Sequence, residues 1–198
     1  MSTVFYTYLE LGFHHVFDLK AYDHLLLLIA LCAVYTIGDW RRVVALITCF
    51  TIGLSIALAL SAFHIIQFDK GLIRFLMPAT IFLVCVINFF RLKGAANKQH
   101  TIFSVYNLVA VLIGLVHGLG FSNHLKSLFR RGDDAWLKML AFNVGIELSQ
   151  LLFVFLVLIV AFLIQNLFNA KRRDWIMVLS SAVAGISLIL MMKANIFF

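Results

Sequence analysis

Three polar side chains interrupt a long apolar run that covers roughly residues 136–168. Asn143, Glu147 and Gln150 recur at i, i+4 and i+7, a spacing that places all three on one face of a helix. A carboxylate at membrane depth is costly, so it generally faces a bundle interior or a water-filled cavity and marks a site. We therefore expect the rest of the chain to provide the scaffold and the partners for Glu147.

The composition is that of a membrane protein. Of the 198 residues, 63% are hydrophobic and 13% are charged, and only one is proline. This predicts an all-α fold, a polytopic membrane helix bundle, with residues 1–198 forming a single integral membrane domain. The net charge of +7 is explained by Lys and Arg flanking the spans, so nucleic acid is not expected as a partner.

The apolar runs predict about six transmembrane helices, preceded by an interfacial or re-entrant helix over roughly residues 3–18. The predicted spans cover roughly residues 22–37, 43–66, 72–90, 101–121, 136–168 and 176–192. In the fourth span, Gly114 and Gly118 are four residues apart and predict a close helix contact. Cys32, Cys49 and Cys85 lie in apolar spans without metal-ligand spacing and are interpreted as small buried hydrophobic residues.

Alternation of the spans sorts the other polar residues into one half of the membrane. The first and fifth spans begin on the side where the second and fourth end, and the N-terminal segment approaches the same half. The residues concerned are His14, His15, Asp18, Asp23, His24, His64, His117, Asn143 and Glu147. Imidazole and carboxylate ligands together suit Zn, Ni, Co or Fe, which predicts a site for a divalent transition metal (nickel, cobalt or zinc).

Each of these residues also has an ordinary structural interpretation. His14 and His64 are placed where they would lie at the water interface. Asp23 would cap the first span, because acidic groups favour a helix N-terminus. His117 would be a hydrogen-bonded core histidine, and Glu147 a protonated acid bonded to a neighbour. Only the grouping of these residues in one half favours a shared site.

Three blocks of the sequence resemble the HupE/UreJ family of membrane proteins. They read HHVFDLKAYDHLLLL, LVHGLGFS and FNVGIELSQ, and they occur in the family's order. The resemblance implies a permease-like protein linked to nickel or cobalt supply. The matching motif positions imply metal ligands at His15, Asp23, His24, His117 and Glu147, supported by Asn143 and Gln150.

The chain departs from the family pattern in two places. Seven residues separate His15 from Asp23, where the family usually has five. The block over residues 50–55 reads FTIGLS, so Leu54 stands where the family has a histidine. The resemblance therefore implies one metal ligand fewer in the second span.

Three functions remain open at this point. The first is a nickel- or cobalt-type permease in a bacterial inner (cytoplasmic) membrane, surrounded by lipid and carrying a metal ion. The second is an intramembrane zinc hydrolase that acts on a lipid or a membrane-borne peptide, with Glu147 as general base. The third is a non-catalytic subunit that docks another membrane protein through the polar face of the fifth span.

Overall fold

The computed structural model describes residues 2–18, 22–62, 69–93, 105–125 and 135–194, with side chains omitted at 2, 62, 93, 121–125 and 135. These residues contain helices and no strands, which confirms the predicted all-α membrane helix bundle. The helices are α1 (Ser2–Val16), α2 (Tyr22–Cys32), α3 (Trp40–Ala62), α4 (Lys70–Lys93), α5 (Val105–Leu125), α6 (Ala135–Leu167) and α7 (Arg172–Lys193).

Four helices within the described residues, α3, α4, α6 and α7, are long and apolar enough to cross a membrane. The 11-residue α2 takes the place of the first predicted span, and the 21-residue α5 takes the place of the fourth. The chain is thus an integral membrane protein, in which α2 by itself is too short to cross the bilayer. The 33 residues of α6 extend roughly 50 Å, well beyond the ~30 Å hydrocarbon layer.

The first predicted span ends five residues early, since α2 stops at Cys32 rather than at residue 37. The backbone turns there, with the Tyr35 N–H donating to the Cys32 carbonyl at 3.0 Å. The Thr36 hydroxyl then donates to the Asp39 carboxylate at 2.8 Å and closes a tight turn ahead of α3. With 11 residues, α2 is roughly 16 Å long, about half of the hydrocarbon thickness.

The N-terminal helix α1 runs parallel to α6 and packs along it. The ammonium group of Lys138 lies 5.8 Å from the centre of the Tyr8 ring, and the rings of Phe17 and Phe153 lie 6.3 Å apart. Residue numbers increase in the same direction along both helices of this contact, so α1 runs parallel to the first half of α6. Of the two predicted states of this segment, this packing favours the re-entrant one.

The far end of α2 lies at the opposite end of the bundle, beside the start of α7 and the end of α4. The Arg172 guanidinium donates to the Val34 carbonyl just beyond α2. The Asn88 side chain of α4 donates to the Ala30 carbonyl at 2.8 Å. Because α1 and α2 advance in the same direction in succession, we infer that together they form one interrupted crossing.

Glycine allows α3 and α5 to touch backbone to backbone. A Cβ atom on Gly53 would lie 2.1 Å from the Val111 carbonyl oxygen, and one on Gly114 would lie 2.1 Å from that of Phe50. A Cβ on Gly118 would lie 2.6 Å from the carbonyl oxygen of Leu54. The predicted close contact through Gly114 and Gly118 is therefore confirmed, and α3 is the helix that they contact.

The pair α1 and α6 meets in the same way. A Cβ on Gly12 would lie 2.2 Å from the Phe142 carbonyl oxygen, and one on Gly145 would lie 2.1 Å from that of Leu9. In both pairs, each of these glycines contacts the carbonyl oxygen of the residue three positions before the glycine of the other helix. The bundle therefore contains two parallel helix pairs joined by reciprocal glycine contacts, α1 with α6 and α3 with α5.

Candidate functional site

Three histidines from different helices form a row at the break between α1 and α2. The ring centres of His15 and His24 lie 5.4 Å apart, and those of His24 and His117 lie 5.3 Å apart. His24 at the start of α2 is 4% exposed, and His117 of α5 is fully buried. The structure thus brings together three of the histidines that the alternation of spans placed in one half.

The protonation of His117 follows from its neighbour Thr80 on α4. The Thr80 hydroxyl has one proton and donates it to the Met77 carbonyl at 2.7 Å. Its oxygen lies 3.0 Å from His117 Nε2, so Nε2 carries the proton that this oxygen accepts. The other ring nitrogen, Nδ1, then presents a buried lone pair for which the structure provides no hydrogen-bond partner.

His24 and Asp23 add further buried atoms without partners. Neither ring nitrogen of His24 has a hydrogen-bond partner in the described structure, and the same holds for Asp23 Oδ1. An unsatisfied buried polar group costs about 1–3 kcal/mol. Several such groups side by side destabilise a core. Imidazole nitrogens and carboxylate oxygens are also ligands that a first-row transition metal binds.

The side chains are nevertheless not arranged as a metal site. Within the described residues, no group of three or more His, Cys, Asp or Glu side chains is placed to hold a metal ion. The rings of His15 and His24, and those of His24 and His117, meet edge to face at interplanar angles of 78° and 83°. The donor types fit a transition metal, and side-chain rotation would be needed to converge them.

Two of the three polar residues of α6 lie against α3. Glu147 accepts a hydrogen bond from the Thr48 hydroxyl at 2.7 Å, and the Gln150 amide oxygen lies 3.0 Å from the Thr51 hydroxyl. Gln150 is fully buried, whereas Glu147 is half-buried. The buried Oδ1 of Asn143, one turn before Glu147, has no hydrogen-bond partner among the described residues.

The remaining predicted residues lie outside this arrangement. His14 is exposed, with its Nε2 atom 3.8 Å from the Glu10 carboxylate. Asp18 is exposed just beyond α1, and His64 lies outside the described residues. Leu54 is buried against Gly118, next in sequence to His117, so the family's additional histidine would stand close to this row.

Sequence reasoning assigned no role to Thr48, Thr51 and Thr80. Thr80 is 37 residues from His117, and each α3 threonine is 99 residues from its partner on α6. One signal was present, because Thr48 and Thr51 share a face of an otherwise apolar helix. Thr80, two residues after Pro78, offered no comparable pattern.

Comparison with known proteins identifies one family. The family model described as HupE / UreJ protein matches residues 1–195. No curated protein and no solved structure shows significant similarity to the chain. The match includes both glycine-joined pairs, the histidine row and the polar face of α6. The chain therefore belongs to the HupE/UreJ family.

Proposed function

We propose that this protein is a membrane permease for a divalent transition metal of the nickel or cobalt type. Membership of the HupE/UreJ family supports a membrane protein concerned with nickel or cobalt transport, or with an accessory step. The observation that carries the proposal is that the buried His24 Nδ1, His24 Nε2 and His117 Nδ1 atoms have no hydrogen-bond partner among the described residues. Interrupted helices provide the substrate sites of many secondary transporters.

The proposed ligands are His24 and His117, with Asp23 and His15 beside them. His117 offers Nδ1, since its Nε2 proton faces Thr80, and His24 offers either ring nitrogen. The single carboxylate of Asp23 would offset one of the two charges of the metal ion. The metal is the cargo, and these side chains replace part of its hydration shell inside the bundle.

The lack of preorganisation favours a carrier over a tight metal site. The described side chains must move before three donors converge on one ion, and that rearrangement lowers the affinity. A structural or catalytic zinc site gains from ligands held in place. A carrier must release its ion, so a moderate affinity suits transport.

Uptake by intact cells tests the proposal. Cells that make the protein are expected to accumulate radioactive cobalt and nickel, and His24→Ala and His117→Ala are expected to lower the accumulated metal at least tenfold. His14→Ala is the matched control, because this exposed histidine of α1 lies outside the row. Equal accumulation by the wild type and both buried variants, at equal protein levels, would reject the permease.

Thr80→Val is expected to weaken cobalt binding by roughly 10-fold to 100-fold, as loss of groups that orient a ligand does in other metal sites. Valine keeps the shape of threonine but removes the oxygen that accepts the His117 Nε2 proton. The measurement is cobalt titration of the purified protein, followed in the visible spectrum.

Thr7→Val is the control for this substitution. Its hydroxyl is exposed and donates to the Thr3 carbonyl of its own helix at 2.9 Å. If Thr80→Val and Thr7→Val bind cobalt equally well, Thr80 does not orient His117.

A further inference from the structure

A second group of polar side chains lies where α3 crosses α6, and all the atoms it offers for coordination are oxygens. We call this the oxygen cluster, and it consists of Thr48, Thr51, Asn143, Glu147 and Gln150. Two of its hydrogen bonds join the helices on consecutive turns, Thr48 to Glu147 at 2.7 Å and Thr51 to Gln150 at 3.0 Å. The metal ligands proposed above do not belong to it.

The Glu147 carboxylate is separate from the histidine row. The ion pairs His14 with Glu10 and Arg42 with Asp39 do not include Glu147. No described Lys, Arg or His nitrogen lies within 4.0 Å of it. Among the described residues its carboxyl group accepts from the Thr48 hydroxyl and has no cation beside it, in a helix that is predominantly apolar.

Counting protons shows that the oxygen cluster has too few donors. The Thr51 hydroxyl has one proton, yet it lies 3.1 Å from the Ile47 carbonyl and 3.0 Å from the Gln150 amide oxygen. Turning the Gln150 amide by 180° satisfies both contacts, because its N–H then donates to Thr51 and the Thr51 proton goes to Ile47. The carbonyl oxygen of Gln150 then takes the place of Nε2, a buried position with no hydrogen-bond partner among the described residues.

Three acceptors in this cluster are available to a cation. The Gln150 carbonyl and Asn143 Oδ1 have no hydrogen-bond partner among the described residues, and the Glu147 carboxylate accepts from Thr48. Carboxylate, amide and hydroxyl oxygens are ligands for hard cations, whereas nickel and cobalt prefer sites that include imidazole. A proton on Glu147 would serve that carboxylate alone, whereas a hard cation takes several oxygen ligands. One carboxylate neutralises one charge, which favours a monovalent ion in a low-dielectric interior.

We propose that the oxygen cluster binds a sodium ion, and that this ion drives metal uptake. The second clause rests on the proposed permease function; the first does not. The cluster connects α3 of one glycine-joined pair to α6 of the other, and the two ends of the histidine row, His15 of α1 and His117 of α5, likewise belong to different pairs. A sodium ion held by both pairs stabilises the arrangement in which His117 of α5 faces the histidines at the α1–α2 break.

Binding of radioactive sodium to the purified, metal-free protein tests the site directly. Wild type is expected to bind sodium saturably, and Glu147→Gln and Thr51→Val, both close in shape to the native residues, are expected to bind at least tenfold more weakly. Ser55→Ala is the matched control, because the Ser55 hydroxyl, one turn beyond Thr51 on α3, donates to the Thr51 carbonyl of its own helix at 2.7 Å.

Folded wild-type protein that binds no sodium would overturn the site whatever the variants do. Unchanged binding in Glu147→Gln and Thr51→Val would overturn it as well. Cobalt uptake into proteoliposomes, with and without an inward sodium gradient, separates the two proposals. Sodium binding without cobalt uptake supports the oxygen cluster and rejects the permease. Cobalt uptake driven by a proton gradient, with no bound sodium, rejects the sodium site and retains the permease.

Discussion

Replacing His24 by leucine is expected to abolish metal uptake while leaving the protein at least as heat-stable as the wild type. His24 is 4% exposed, and neither of its ring nitrogens has a hydrogen-bond partner. Removing a buried polar group that is unsatisfied relieves a cost of about 1–3 kcal/mol, against which some packing is lost. The measurements are cobalt uptake and the melting temperature of the detergent-purified protein.

Asn88→Leu is the control for that pairing of effects. Asn88 is also buried, at 2% exposed, but its amide group donates to the Ala30 carbonyl and to the Ser180 hydroxyl. Its replacement leaves an acceptor without a donor and is expected to lower the free energy of unfolding by about 1–3 kcal/mol. If His24→Leu destabilises the protein as much as Asn88→Leu, His24 is a structural core residue, contrary to its proposed role.

Gly53→Ala is expected to destabilise the protein by about 1–3 kcal/mol or more, the range typical of overpacked cores. The added methyl group would lie 2.1 Å from the Val111 carbonyl oxygen, which is backbone and cannot rotate away. Helices α3 and α5 must therefore move apart, and His117, which lies on α5, moves away from His24. A lower melting temperature and reduced cobalt uptake are both expected.

Gly185→Ala is the matched control in the same bilayer environment. Gly185 lies within α7, and a Cβ atom there meets nothing within 4 Å. Its substitution is expected to change stability by no more than about 0.5 kcal/mol. Equal effects of the two substitutions would mean that the close backbone contact between α3 and α5 does not exist.

The sequence was sufficient for the membrane helix bundle and for part of the site. Long apolar runs determine the helices, and the alternation of spans predicts that His24 and His117 lie in the same half of the membrane. The helical spacing of Asn143, Glu147 and Gln150 placed them on one face, and two of them do face α3. These properties depend on local periodicity, which a single sequence displays.

The interrupted crossing could not be read from the sequence in the same way. The residues at 33–35 are apolar, so hydropathy continues through the point where α2 ends, and the turn signals, Gly38 and Asp39, come several residues later. The hydrogen-bond partners of His117, Glu147 and Gln150 were not predicted either. These partners are threonines on helices far away in the chain, and threonine is common in helices that contain no functional site.

Metal flux into proteoliposomes measures the proposed function most directly. Purified protein would be reconstituted with a metal-sensitive dye inside the vesicles, and cobalt would be added outside. Saturable entry through the wild type, absent with His24→Leu, is the result we expect. The absence of cobalt entry through the wild type would contradict a permease. If the same wild-type protein also retains stoichiometric zinc, and the His24→Ala/His117→Ala double variant does not, the result would indicate a tight zinc site instead.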